Sequence, residues 1–120
     1  MDPRGWIVCG ALLGAIGAGD IGQLFPDTDA RYKDIDSTKL LEEVSSLLKG
    51  KGWRVVNIDS TVVCEAPKLA PHRSKMESKI AQTLGLDGAV SVKATTSERL
   101  GFTGRGEGIA AYAVAMIESV

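Results

Sequence analysis

Residues 92–108 concentrate side chains that could bind an anion. Among them are the hydroxyls of Thr95, Thr96 and Ser97, the carboxylate of Glu98 and the guanidinium of Arg105. Glycines at 101, 104, 106 and 108 allow the backbone to take positive φ or to approach a ligand closely. Hydroxyls, backbone amides and a guanidinium are groups that bind phosphate. The stretch is therefore a candidate anion site.

The same composition is also typical of a glycine-rich turn between two secondary-structure elements. The spacing does not match the phosphate loop GxxxxGK[ST], and residues 92–108 contain no GxGxxG run. Taken alone, the local pattern leaves the anion site and the plain turn open.

The totals describe an ordinary globular chain. With 120 residues, 44% hydrophobic and 24% charged, we expect a single domain over 1–120. The net charge of −1 and the 5% aromatic content argue against a nucleic-acid partner. The apolar run 6–18 is too short and too glycine-rich to span a membrane, although a signal peptide is an alternative interpretation of it.

The cysteines and the histidine limit the possible redox and metal chemistry. Cys9 and Cys64 are isolated thiols without CxxC spacing, which indicates a reducing compartment, and we expect the cytoplasm. His72 is the only histidine, so the chain is poor in the usual zinc ligands.

Several elements must position the candidate site. Helices are predicted over 5–18, where Gly17 and Gly19 supply the stop, and over 37–49, where leucines and Val44 fall at helical spacing. Residues 20–36 are rich in Asp, Gly and Pro and are predicted to be a loop.

The second half of the chain contains the predicted strands. Alternation predicts a strand over 53–65, with Val55 on the face opposite Ile58, and a second strand over 90–96. Pro71 suits the first turn of a helix that runs to about Leu84. Residues 109–120 fit either a strand or an Ala-rich helix.

Three separated blocks, 20–29, 66–72 and 93–108, together resemble the 2-C-methyl-D-erythritol 2,4-cyclodiphosphate synthase family. The similarity extends from about Ala11 to Val120. It implies an α+β fold, with helices packed on one face of a small mixed β-sheet and a strand at 109–120.

The resemblance also implies the reaction. A cytidine diphosphate-linked methylerythritol phosphate attacks its own β-phosphorus through its 2-phosphate, which releases CMP and closes the ring. This is a cyclising phosphorus–oxygen lyase of non-mevalonate isoprenoid synthesis. The family works as a homotrimer with sites between neighbouring subunits, and divalent cations (zinc, and magnesium or manganese) serve as its cofactors.

The family's site residues are carried over block by block. The ribose-side block is Asp20, Ile21 and Gly22. The loop expected to line the methylerythritol phosphate is Phe25, Pro26, Asp27, Thr28 and Asp29. The cytosine pocket is Cys64, Glu65, Ala66, Pro67, Lys68, Leu69 and Ala70. The phosphate end is Thr95, Thr96, Ser97 and Glu98, in which Thr96 would stabilise the transition state and Glu98 would hold magnesium or manganese. Phe102 and Arg105 would face a cavity on the trimer axis, with Glu107 as a candidate partner for Arg105.

The sequence departs from the family at its beginning. The family's first strand carries an Asp-x-His pair, and a third zinc ligand, a histidine, aligns with Trp6. We therefore expect this chain to lack the N-terminal strands and the zinc ligands of the family. Two functions stay open: a cyclodiphosphate synthase, and a non-catalytic trimeric or CMP-binding remnant without the zinc site.

Overall fold

The structure is a computed structural model that describes residues 3–26, 36–65 and 70–120, and the side chains from residue 7 onward within those ranges, except that of Ala70. Its helices and strands are α1 (Pro3–Ala15), α2 (Ile21–Leu24), α3 (Ser37–Gly50), β1 (Trp53–Val63), α4 (Arg73–Leu84), β2 (Val90–Thr95), α5 (Gly101–Gly104) and β3 (Ala110–Ser119). A short 3-10 turn, Ala70–His72, precedes α4.

The three strands form one mixed sheet in the order β2-β1-β3. β1 pairs with β2 in parallel and with β3 in antiparallel. A parallel pair needs a crossover connection, and α4 provides it between β1 and β2. The prediction of an α+β fold with a small mixed sheet is confirmed.

Helices α1, α3 and α4 cover one face of the sheet. α1 packs on β3 and α3, while α4 packs on β2 and α3. The shared core consists of buried apolar side chains from the three helices and the sheet, among them Leu12, Leu13, Leu40, Val44, Leu48, Ile80, Ile58 and Val92. On β3 the residues that face this core alternate with exposed ones, so the opposite face of the sheet stays open in the single chain.

The long predicted helices are present where the sequence places them. α3 begins after Asp36, whose carboxylate accepts a 2.8 Å hydrogen bond from the Thr38 amide. α1 ends before Gly17, which takes φ +66°, as the sequence predicted. No helix among the described residues is long and apolar enough to cross a membrane.

Residues 101–104 form a helical turn, α5, inside the glycine-rich stretch, where the sequence left a plain turn open. Two local predictions were wrong. Residues 21–24 form a helical turn instead of loop, because Asp20 and Gln23 make a reciprocal capping box. Val55 is buried on the same side as Ile58, because a β-bulge between Val55 and Asn57 shifts the alternation by one residue.

Candidate functional site

The carboxyl ends of the parallel strands β1 and β2 define one edge of the sheet. Val63 pairs with Thr95, and the Cys64 amide donates a 3.0 Å hydrogen bond to the Thr95 carbonyl oxygen. The residues that follow, 64–65 and 96–98, therefore leave the sheet side by side. Ligands of α/β sheets commonly bind outside the carboxyl ends of parallel strands. The start of the predicted cytosine pocket, Cys64 and Glu65, and the predicted phosphate end meet at this edge.

A tight turn follows β2. The Leu100 amide donates a 3.1 Å hydrogen bond to the Ser97 carbonyl oxygen, and the central residues Glu98 and Arg99 both have positive φ, 54° and 66°. Glycine, asparagine and aspartate are the usual residues of such turns, whereas glutamate and arginine pay a steric cost of about 1–2 kcal/mol each. Backbone strain of this kind is concentrated at functional sites. The turn thus holds a carboxylate where a relaxed backbone would have glycine.

A pair of hydroxyls fixes this turn from inside. Ser97 Oγ donates to the Leu100 carbonyl oxygen at 2.6 Å and lies 2.8 Å from Thr103 Oγ1. Because the Ser97 proton is used on Leu100, the Thr103 hydroxyl is the donor to Ser97. Thr103 is buried, with 6% of its surface exposed. The sequence analysis missed Thr103, and the only available signal was a second hydroxyl six residues after Ser97.

Gly104 allows α5 to pack against the same turn. A Cβ at Gly104 would lie 2.1 Å from the Arg99 carbonyl carbon, so no other residue fits without moving the backbone. After α5, Arg105 Nε and its terminal nitrogen donate to the two carboxylate oxygens of Glu107 at 2.9 and 3.1 Å. The prediction that Glu107 pairs with Arg105 is confirmed. Phe102 is half exposed, and its ring packs against Gly108.

The polar groups of the edge are suited to a phosphate. The Glu98 amide donates to Thr96 Oγ1 at 3.2 Å, which leaves the Thr96 hydroxyl proton able to donate elsewhere. Thr95, Thr96 and Glu98 are all exposed to solvent. The structure therefore brings the four predicted phosphate-end residues into one short segment at the strand edge.

The described start of the predicted cytosine pocket lies at the same edge. Cys64 is buried with 7% exposure, and Glu65 follows it, half-buried. Among the described residues, Glu65 Oε2 is the one buried side-chain oxygen without a hydrogen-bond partner. Ala66, Pro67, Lys68 and Leu69 lie outside the described residues, and Ala70 begins the 3-10 turn.

The ribose-side block lies elsewhere in the chain, against α1. Asp20 Oδ1 accepts a 2.8 Å hydrogen bond from the Gln23 amide as the cap of α2, and its second carboxylate oxygen can still accept from hydroxyls. The Ile21 side chain lies near Gly10 of α1, and Gly22 is exposed on the first turn of α2. Phe25 is buried in the core cluster and Pro26 is half-buried, while Asp27, Thr28 and Asp29 lie outside the described residues.

Glu98 provides one carboxylate at the strand edge as a candidate metal ligand. Magnesium is commonly bound by one or two carboxylates together with substrate phosphates. The exposed Glu98 carboxylate is the ligand that this segment of the protein could contribute. Within 3–26, 36–65 and 70–120, no three His, Cys, Asp or Glu residues cluster closely enough to hold a metal. His72 is exposed at the end of the 3-10 turn. The described residues therefore do not fit a tetrahedral zinc ion.

The fold and its strand edge define an α+β protein with a candidate phosphate-binding site, and comparison with known proteins narrows the class. Residues 6–118 match the YgbB family. Two curated proteins named 2-C-methyl-D-erythritol 2,4-cyclodiphosphate synthase are close relatives. One, from Syntrophomonas wolfei, is 57% identical over 92% of this chain and 71% of its own length. The other, from Photobacterium profundum, is 59% identical over 93% and 72%.

Two solved structures are also similar to this chain. A 2C-methyl-D-erythritol-2,4-cyclodiphosphate synthase described as a CDP-bound form superposes with a TM-score of 0.86 at 30% identity, over 95% of this chain and 74% of its own. The bifunctional IspDF of Campylobacter jejuni superposes with a TM-score of 0.91 at 41% identity over 97% of this chain. This chain spans about a third (32%) of that bifunctional protein.

The chain belongs to the YgbB family, the family of the 2-C-methyl-D-erythritol 2,4-cyclodiphosphate synthases. These relatives are enzymes of non-mevalonate isoprenoid synthesis that act on a cytidine diphosphate-linked small molecule. The family resemblance drawn from the three sequence blocks is confirmed.

Proposed function

We propose that this chain provides the part of a cyclodiphosphate synthase site that binds cytidine diphosphate and a divalent metal. The observation that carries the proposal is the Cys64–Thr95 hydrogen bond, because it joins the first residue of the predicted base pocket to the first residue of the predicted phosphate end. A CDP-bound relative with the same fold supports cytidine as the nucleoside. The chain acts as one domain, and we place it in the cytoplasm.

The residues have distinct roles in this proposal. Cys64 to Ala70 form the cytosine pocket, and Thr95, Thr96, Ser97 and Glu98 form the phosphate end. There the Thr96 hydroxyl faces the diphosphate, while the Ser97 hydroxyl holds the turn from inside. The Thr96 hydroxyl donates a hydrogen bond to the phosphoryl oxygen that gains charge in the transition state, because its oxygen accepts from the Glu98 amide and its proton is left to donate. Glu98 would hold magnesium or manganese, which would neutralise negative charge of the diphosphate.

The active unit is a homotrimer. On the open face of the sheet, β3 exposes Tyr112, Val114 and Met116, of which Val114 is 72% exposed. Exposed apolar patches on a sheet face are typical of interaction surfaces. Around a three-fold axis, Phe102 and Arg105 would line a central cavity, with the Arg105 charge already balanced by Glu107. The Asp20 block and the Phe25–Asp29 loop complete the site from a neighbouring subunit.

The alternative function is a trimer that binds CMP without catalysis. It is favoured by the lack, among the described residues, of a cluster that could hold zinc. Release of CMP from the diphosphocytidyl substrate with magnesium and zinc present would decide for the synthase. Nucleotide binding without release would decide for the binding protein.

Calorimetric titration tests the shared part of both functions. We expect the protein to bind CMP, and to bind CDP more tightly when magnesium is added. Glu98→Gln should remove the magnesium effect on CDP, a loss of about tenfold in affinity or about 1.4 kcal/mol, and should leave CMP binding unchanged. Glu107→Gln is the matched control, a carboxylate removed from the same stretch but held by Arg105. A folded protein that binds neither nucleotide would refute the proposal.

A further inference from the structure

We infer that Thr103 is a positioning residue for the metal and diphosphate end of the site, acting through Ser97. The inference rests on the proposed function, since it concerns the same Glu98 carboxylate. It adds a residue of the 93–108 block that was not among the predicted ligand contacts.

The first step is the direction of the hydrogen bonds. Thr103 donates to Ser97 Oγ, and Ser97 donates to the Leu100 carbonyl oxygen. The chain of donors thus runs from the buried Thr103 hydroxyl of α5 to the last residue of the turn. It spans the turn that contains the two residues with positive φ, Glu98 and Arg99.

The second step is the strain that this network must hold. Two non-glycine residues in the left-handed region cost about 1–2 kcal/mol each, so the turn keeps its shape only if its surroundings stabilise it. The Ser97–Leu100 backbone bond closes the turn, and the hydroxyl pair ties that turn to α5. Gly104 brings α5 within contact of the Arg99 backbone on the other side.

The third step is the location of the hydroxyl pair. Thr103 is 6% exposed, whereas Glu98 and Thr96 are exposed at the strand edge. The Thr103 hydroxyl is occupied by Ser97 and is buried, so it acts through the turn. Its loss would free the turn to rotate Glu98 and the Glu98 amide away from Thr96.

The experiment compares Thr103→Val, which keeps the shape but loses the donor, with Thr103→Ser, which keeps the hydroxyl. For each protein, titration calorimetry gives the affinity for CDP with magnesium and for CMP without it. We expect Thr103→Val to weaken CDP–magnesium binding about tenfold while CMP binding stays within about twofold of wild type. Thr103→Ser should restore CDP–magnesium binding to within about threefold of wild type.

Ser97→Ala and the double variant Ser97→Ala/Thr103→Val guard against a general folding defect. If the two hydroxyls act as one unit, the double variant should bind CDP–magnesium no more weakly than whichever single variant has the lower CDP–magnesium affinity. Wild-type CDP–magnesium affinity in Thr103→Val overturns the inference and leaves the proposed function standing. So does an equal loss of CMP and CDP binding, because that result marks a structural role. A wild-type protein that binds neither nucleotide overturns both.

Discussion

The backbone amide of Cys64 lies 3.0 Å from the carbonyl oxygen of Thr95 and donates a hydrogen bond to it, one residue beyond the end of β1. This bond extends the parallel pairing past Val63 and aligns two segments that are 31 residues apart in the chain. The first residue of the proposed base pocket and the first residue of the proposed phosphate end therefore share one edge of the sheet. The position of Cys64 relative to Thr95 depends on the strand pairing.

Replacing Gly104 by alanine should disrupt this turn. The new Cβ would meet the Arg99 backbone at 2.1 Å, where only backbone movement can relieve the clash. We expect the free energy of unfolding to fall by about 1–3 kcal/mol, as measured by denaturant titration.

Gly14→Ala is the matched control, because nothing lies within 4 Å of a Cβ at that helical position. It should raise the free energy of unfolding by about 0.5–1 kcal/mol. Equal effects of the two substitutions would show that the contact between α5 and the turn is not tight.

Arg99→Gly should stabilise the fold. Arg99 has φ +66°, a conformation that costs about 1–2 kcal/mol for a residue with a Cβ, whereas glycine adds about 0.5–1 kcal/mol of backbone entropy to the unfolded chain. We expect a net gain of about 0.5–1 kcal/mol in the free energy of unfolding. Lys79→Gly, on an exposed site of α4, should instead lose about 1 kcal/mol. If both substitutions lower the free energy of unfolding, the backbone at Arg99 is not strained.

The helices that are long enough to show a repeating hydrophobic pattern could be predicted from the sequence, and the four-residue helices could not. Leu40, Val44 and Leu48 repeat at helical spacing, and this pattern places α3 almost to the residue. α2 and α5 have four residues each, too few to show a period, and their glycines indicate a turn equally well. The bulge after Val55 has no composition signal, because it follows from the pairing with β3.

Part of the candidate site could likewise be predicted from the sequence, and part could not. The sequence blocks indicated the residues of the strand edge through their family resemblance. The positive φ of Glu98 was not predictable, because the pattern rules for left-handed backbone rest on glycine and asparagine. The Thr103–Ser97 bond depends on a turn that folds back over six residues, and neither hydroxyl alone indicates it.

Burial of Cys9 should make stability fall at alkaline pH. The thiol is fully buried, and desolvation raises its pKa from the ordinary 9.0 to about 12. Between these two values the unfolded chain loses its thiol proton while the folded chain keeps it. Stability present below pH 9.0 is therefore lost as the pH rises toward about 12, by about 1.4 kcal/mol per pH unit.

Cys9→Ala isolates this effect from the other groups that titrate in the same range. We expect the difference in the free energy of unfolding between wild type and Cys9→Ala to shift against the wild type as pH rises above 9.0. Denaturant titrations from pH 7 to 11 measure it. A difference that stays constant over this range would mean that the thiol ionises as easily in the folded chain.

Placing a charge on the open sheet face should prevent trimer formation. Val114 is 72% exposed on β3, beside Tyr112 and Met116 on the same face. Val114→Lys would bury an unpaired ammonium in the proposed interface, so we expect monomers in sedimentation equilibrium at micromolar concentration. Gln82→Lys, exposed on α4, should leave the assembly unchanged. A wild-type protein that sediments as a monomer would contradict the proposed trimer.

Mixing subunits with different defects should restore nucleotide binding if each site lies between neighbours. Asp20 is held against α1 by the α2 turn, whereas Glu98 lies at the strand edge, so one site would take Asp20 and Glu98 from different subunits. Asp20→Asn and Glu98→Gln should each weaken CDP–magnesium binding. Refolding an equal mixture of the two should give about one site in four with both residues intact, and those sites should bind like wild type.

The matched control mixes Glu98→Gln with Thr96→Val. Both positions lie on the same segment of one chain, so no subunit in that mixture carries an intact phosphate end and no site can recover. Calorimetry of the refolded mixtures measures the fraction of tight sites. Recovery in the first mixture alone would place the two blocks on different subunits. If neither mixture recovers, Asp20 and Glu98 do not meet across a subunit boundary, and the between-subunit site is wrong.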